Sequence, residues 1–176
     1  MRKQLCAGVL VHLIVLVTVP SLAASDPDPA VRPGEITDTR QDIRAVIPAF
    51  AGSLVDVSID FASSQVASCY RQIDTMPRRQ AMTDVCIALD VALAMWVQAL
   101  YDERPKAYAR EMKVTPNEFG DAALGRALEH LQGRGLERQV ALQRAIELGG
   151  IAYRDLLAEV NVIMDRQARQ PAAKPR

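Results

Sequence analysis

From Val85 to Tyr101 the chain is apolar nearly all round. Val85, Ile87, Leu89, Val91, Leu93, Met95, Trp96, Val97 and Leu100 fill the faces of a helix, and only Asp90 and Gln98 interrupt. A helix without a polar face persists only where its whole surface is covered, inside a bundle or in a membrane. The run is about 17 residues, short of the roughly 20 a span needs, and it carries a carboxylate that is costly in lipid. A buried central helix is the expectation, and the rest of the chain must supply the helices that wrap it.

Those helices are legible. One starts near Thr39, with Asp38 as a candidate cap. Its apolar residues Ile43, Ile47, Phe50, Leu54, Val57 and Phe61 alternate gaps of four and three, the mark of one helical stripe. Ala51, Val55, Ala62, Val66 and Cys69 widen that face, and Pro48 should kink the helix or split off an opening turn. The apolar helix ends before Pro105, and residues 105–113 form a short helix with Tyr108 and Met112 inward. Thr115-Pro116-Asn117-Glu118 reads as a capping box. The helix it opens buries Phe119, Ala123, Leu124, Ala127, Leu128 and Leu131 and ends at Gly133 and Gly135. A last helix runs from about Leu136 to Ala168, with Leu142, Ile146, Gly149, Tyr153, Leu156, Val160 and Ile163 as its stripe. Gly149-Gly150 in its middle marks a close helix crossing or a bend, of which the crossing is preferred. The fold class is all-α: a single-domain bundle of about four main helices plus a short one, over residues 39–168. No strand is expected.

The N-terminus gives an address. Met1-Arg2-Lys3 precedes an apolar core of about 11 residues, then Pro20 and the small residues Ser21, Ala23 and Ala24. That is the build of a cleaved secretory signal peptide, residues 1–23, and no stable membrane anchor remains after cleavage. Residues 24–38 are Pro- and Asp-rich and read as an extended leader, and residues 169–176 as a disordered tail. Export places the protein in an oxidising compartment, the periplasm first and secretion second. There the two cysteines left after cleavage, Cys69 and Cys86, can pair. Their midpoint falls between Pro77 and Arg78. A chain that turns back there brings both to the same height, so the first helical hairpin is stapled by its disulfide.

Little of the remaining sequence points to chemistry. Cleavage removes Arg2 and Lys3 and no acid, turning 21 bases against 21 acids into 19 against 21. So even a balance gives no electrostatic case for nucleic acid. Cleavage also removes Cys6 and His12, leaving His130 as the only imidazole, too little for a structural zinc site. Glu129 beside His130 points about 100° away on a helix and forms no relay. Asp56 and Asp60 lie four apart on the first helix and read as a solvated face. Trp96 and Met95 suit core filling, and no cofactor is implied. Arg78-Arg79 belongs to a solvated turn. Asp90 is the notable acid. It is either on the outer edge of its helix or a polar spot in a buried one. If buried it must be paired or protonated, with Arg144 or Arg154 of the last helix as candidate partners.

These readings favour a non-enzymatic exported protein that works by binding another envelope or secreted protein. An inhibitor or immunity-type protein is one form, an accessory factor of an envelope or secretion assembly another. Loops 102–116 and 132–136 are the natural contact surface. The alternative is a helical carrier of a small apolar ligand, held between helices near Asp90. A carboxylate-dependent enzyme is the remotest reading.

Overall fold

The computed structural model describes residues 33–75 and 78–169. The expected signal peptide, the first part of the expected leader, the segment beyond Arg169 and the Met76–Pro77 step lie outside the described residues. Among those described are six α-helices and no strand. They are α1 (Pro33–Asp56), α2 (Ile59–Gln72), α3 (Arg79–Glu103), α4 (Pro105–Glu111), α5 (Pro116–Gly133) and α6 (Arg138–Arg169), with a 3-10 turn, Ile73–Thr75, after α2.

Helix α3 is the hub. It packs against every other helix, and each residue from Thr83 to Leu93 is buried. By length and composition α3 is apolar enough to cross a membrane, yet most of that stretch is covered by its neighbours in the bundle. Side-chain pairs fix the directions. Asp84 meets Arg144, and Val91 meets Gly149, so α3 and α6 run parallel. Asp84 also meets Arg134, while Asp90 meets Arg126, so α5 returns antiparallel to α3. Arg44 with Asp155 and Asp56 with Gln167 place α1 parallel to α6. Helices α2 and α5 are therefore the two return strokes.

The structure departs from the sequence reading at three places. Helix α1 opens at Pro33, inside the stretch expected to be an extended leader, so Asp38 is not its cap. Proline is tolerated in a first turn because its missing donor would be unpaired there anyway. Next, the long first helix is two helices, and Pro48 does not divide them: it is exposed within α1. The break falls at Ser58, whose backbone is extended (φ −176°) and whose hydroxyl accepts the Phe61 N–H at 3.1 Å. A serine cap there starts a new helix in a new phase. Val57 and Phe61, which continue the four-three stripe on paper, are 61% and 43% exposed, and Ile59, Ala62 and Val66 are buried instead. Four main helices and a short one thus become five and a short one.

The third departure concerns α6. Leu142 and Ile146 are exposed, and Ala141, Ala145, Leu148, Gly149 and Ala152 form the buried line. Gly149 explains the choice. A Cβ there would lie 2.2 Å from Val91 Cγ1 and 2.6 Å from Val91 Cβ. Helices that approach this closely select alanine and glycine at the contact and turn larger side chains to the flank. The crossing reading of the twin glycine holds, and it belongs to Gly149 alone: nothing lies within 4 Å of a Cβ on Gly150. Further on, Leu156 and Val160 are buried as expected.

Candidate functional site

Asp90 is 1% exposed in the middle of α3, so the outer-edge reading fails. Its partner is neither Arg144 nor Arg154 but Arg126 of α5. The Arg126 Nε donates to Asp90 Oδ2 at 2.8 Å and Nη2 to Oδ1 at 2.7 Å, a two-pronged pairing that fills both carboxylate oxygens. The bond to Asp90 raises the Arg126 guanidinium further, against the opposing effect of burial. One α-helical turn beyond Arg126, His130 stacks on Tyr70 of α2, with ring centroids 4.7 Å apart and planes within 6°. The Tyr70 hydroxyl is sealed from solvent without a well-formed hydrogen bond. Burial first, then the negative charge of Asp90, pushes its pKa up. The ring stack bridges α2 and α5 above the buried pair. His130 thus works as a packing surface for Tyr70.

Cys69 and Cys86 are joined in a disulfide, with Cα atoms 5.7 Å apart. It ties the end of α2 to the start of the buried run of α3, next to Tyr70 in sequence and one turn before Asp90. The staple therefore holds Tyr70 over the Asp90–Arg126 pair. Such a pair is at home in an oxidising, extracytoplasmic compartment.

A second buried acid escaped the sequence reading. Asp84 is 3% exposed and takes Arg134 on Oδ1 at 2.6 Å and Arg144 on Oδ2 at 2.9 Å. Arg144, one of the two proposed partners of Asp90, is spent here; Arg154 makes no ion pair among the described residues. Asp84 lies one residue before the apolar run. The turn arginines are also tied down: Arg78 to Asp42 at 3.1 Å and Arg79 to Asp74 at 2.6 Å.

Asp56 and Asp60 do not form a carboxylate pair. The Ser58 corner separates them, Gln167 Nε2 donates to Asp56 at 2.9 Å, and Asp60 is exposed. Among the described residues no three His, Cys, Asp or Glu side chains gather as a metal would require.

Among the described residues a groove lies at the far end of α3. About 450 Å³ in volume, it runs between that end, α4 and the segment 112–117, lined by Gln98, Tyr101, Tyr108, Met112, Lys113 and Val114 among others. Asp90 is not among its lining residues. Its walls are fixed. Tyr108 is buried, stands edge-on to Tyr101 at 5.4 Å, and donates its hydroxyl to the Val114 carbonyl at 2.5 Å. Thr115 then caps α5 as expected: its Oγ accepts the Glu118 N–H at 3.2 Å, and Glu118 accepts the Thr115 N–H at 2.8 Å. These bonds hold the Glu118 carboxyl below its ordinary value, the backbone N–H most strongly. Tyr101 and Val114 are each 43% exposed on this frame. The sequence reading singled out loop 102–116 as a contact surface but not its aromatic lining; the capping box was the visible signal.

The chain matches no family model, no curated protein and no solved structure.

Proposed function

We propose that this is an exported, non-enzymatic helical protein that binds another envelope or secreted protein, with the groove at the end of α3 as its contact site. An inhibitor or immunity-type protein, or an accessory factor of an envelope or secretion assembly, fits this description. The observation that carries the reading is the groove: exposed apolar side chains, Tyr101 and Val114, on a wall locked by the Tyr108 hydroxyl and the Thr115 cap. Preorganised walls lower the entropy lost when a partner docks, and exposed tyrosine is a frequent anchor of such contacts. The buried charges support the same view, because Asp90 and Asp84 have both carboxylate oxygens engaged by arginines.

A carrier of a small apolar ligand is the second reading, favoured by one observation: about 450 Å³ falls within the range of small-molecule sites. A photo-crosslinking amino acid at position 101, 114 or 162, in the exported oxidised protein, separates the two. The expected result is one protein adduct from 101 and 114, competed by excess unlabelled chain, and none from 162. Lipid adducts at 101 in place of protein support the carrier. No adduct, or equal labelling at all three positions, overturns the groove as a site.

A further inference from the structure

We infer that the occupant of this groove is an acidic segment of the partner, anchored by an apolar side chain; this deepens the reading above and rests on it. The apolar half follows from the lining: Tyr101, Met112 and Val114 present hydrocarbon, and the Tyr108 hydroxyl is already committed to the Val114 carbonyl. The acidic half follows from the run of exposed cations in and around α4.

Arg104, Lys106, Arg110 and Lys113 fall within ten residues of sequence that hold a single acid, Glu111, in a chain whose bases and acids balance. All four are exposed, and Lys113 lines the groove itself. Six other arginines, Arg44, Arg78, Arg79, Arg126, Arg134 and Arg144, each have a carboxylate partner. Among the described residues none of the four around α4 makes an ion pair. Three of the nearby acids are turned to other tasks. Asp102 accepts the Gln98 amide at 2.9 Å. Glu103 acts on Tyr153 of α6, raising its pKa after burial has done so. Glu118 is held by the Thr115 cap. A cleft with apolar walls, a lysine in its lining and further exposed cations on the adjoining α4 is complementary to carboxylates flanking a hydrophobic anchor.

The test uses the full oxidised chain and three fluorescent octapeptides, each with one central tryptophan. The flanks are glutamate in the first, glutamine in the second and lysine in the third. The glutamate peptide should bind at least tenfold tighter than the glutamine peptide and lose that advantage between 0.05 and roughly 0.5 M salt, as screening over a few ångströms requires. The double variant Lys106→Glu, Arg110→Glu should weaken the glutamate peptide about tenfold and leave the glutamine peptide unchanged. Tyr101→Ala should weaken both. Circular dichroism and the urea midpoint of each variant establish that it is folded. Equal binding of the glutamate and glutamine peptides, no binding of any peptide below about 1 mM, or competition by inorganic polyphosphate as effective as by the glutamate peptide, each overturns the inference. The two levels fail separately. If the charge variants leave the crosslinked partner bound but Tyr101→Ala releases it, the acidic segment is wrong and the groove stands. If Tyr101→Ala also leaves the partner bound, the groove is wrong.

Discussion

The twin glycine of α6 offers a sharp test of the packing, because its two members should respond to the same substitution with opposite signs. In Gly149→Ala the new Cβ falls 2.2 Å from Val91 Cγ1, 2.6 Å from Val91 Cβ and 3.5 Å from the Val91 carbonyl carbon. Carbon atoms pack at about 3.5–4.0 Å, so α3 and α6 must part by roughly 1 Å. Val91 offers little relief: a β-branched side chain has one strongly preferred rotamer in a helix, and its Cβ moves only with the backbone. Overpacking of this kind costs about 1–3 kcal/mol, and contact at 2.2 Å belongs at the upper end or above. Alanine returns about 1 kcal/mol in helix propensity, leaving a net loss of about 2 kcal/mol. For a urea m-value of about 2 kcal/mol/M the midpoint falls by about 1 M. Gly150→Ala meets nothing within 4 Å, so propensity acts alone and the midpoint rises by about 0.5 M. Val91→Ala closes the cycle. It removes the nearer methyl but leaves the Val91 Cβ at 2.6 Å, so the double variant should be more stable than the two single losses sum to by only part of the clash, about 1 kcal/mol. The assay is equilibrium urea unfolding of the oxidised protein followed by far-UV circular dichroism. A Gly149→Ala midpoint equal to or above that of Gly150→Ala would refute the close crossing.

Three further perturbations probe the polar interior and the cap. Arg126→Ala strands a carboxylate that is 1% exposed; breaking a buried pair costs about 3–5 kcal/mol, and because the Arg126 side chain is 44% exposed the lower value, about 2–3 kcal/mol, is expected by urea unfolding. A loss under roughly 0.5 kcal/mol, the range of an exposed pair, would contradict the burial of Asp90. Replacing both cysteines (Cys69→Ser with Cys86→Ser) opens a loop of sequence separation 17, worth about 3 kcal/mol by chain entropy; thiol labelling of the native protein should find neither cysteine free. Thr115→Ala should cost about 1 kcal/mol at neutral pH. Because the cap lowers the folded pKa of Glu118, its contribution is present above the ordinary value of 4.5 and is lost as pH falls below it. The gap between variant and native midpoints should therefore narrow from pH 7 to pH 3 by the share due to the Thr115 hydroxyl bond to Glu118, and a constant gap counts against that bond.

What the sequence revealed and what it hid follow from the range of each signal. The centrality of α3, the Cys69–Cys86 staple, the Thr115 cap and the Gly149 crossing rest on composition or on residues close in sequence, and these are read without knowing any helix's neighbours. Helix rotation is different. The stripe Ile43, Ile47, Phe50, Leu54 runs on through Val57 and Phe61 in perfect spacing, and only the Ser58 cap resets it. In α6 the larger residues Leu142 and Ile146 define a better apolar stripe than Ala141 and Ala145, yet the short α3–α6 distance at Gly149 admits only the small ones. Asp90 had to be paired once buried, but the choice between α5 and α6 depends on which face of α3 each helix covers. Helix α5 covers it, and Arg126 rather than Arg144 arrives.

The buried charges also bear on how this bundle avoids alternatives. Apolar faces as uniform as that of α3 would accept a neighbouring helix at several rotations. Asp90 and Asp84, about two turns apart on α3, are met by Arg126 of the antiparallel α5 and by Arg134 just past its end, likewise about two turns apart. Sliding α5 by one turn would leave at least one of these acids buried without its cation, at a cost of several kcal/mol. Arg144 meets Asp84 from α6 and ties the third helix to the same register. Isosteric apolar replacement of an ion pair is often neutral in stability, so the role assigned here is specification of register rather than added stability. Asp90→Leu combined with Arg126→Leu tests it. The double variant should keep a urea midpoint near that of the native protein while its amide protection and methyl spectra report more than one α5 arrangement. A single, native-like set of resonances would show that apolar packing around α3 sets the register unaided.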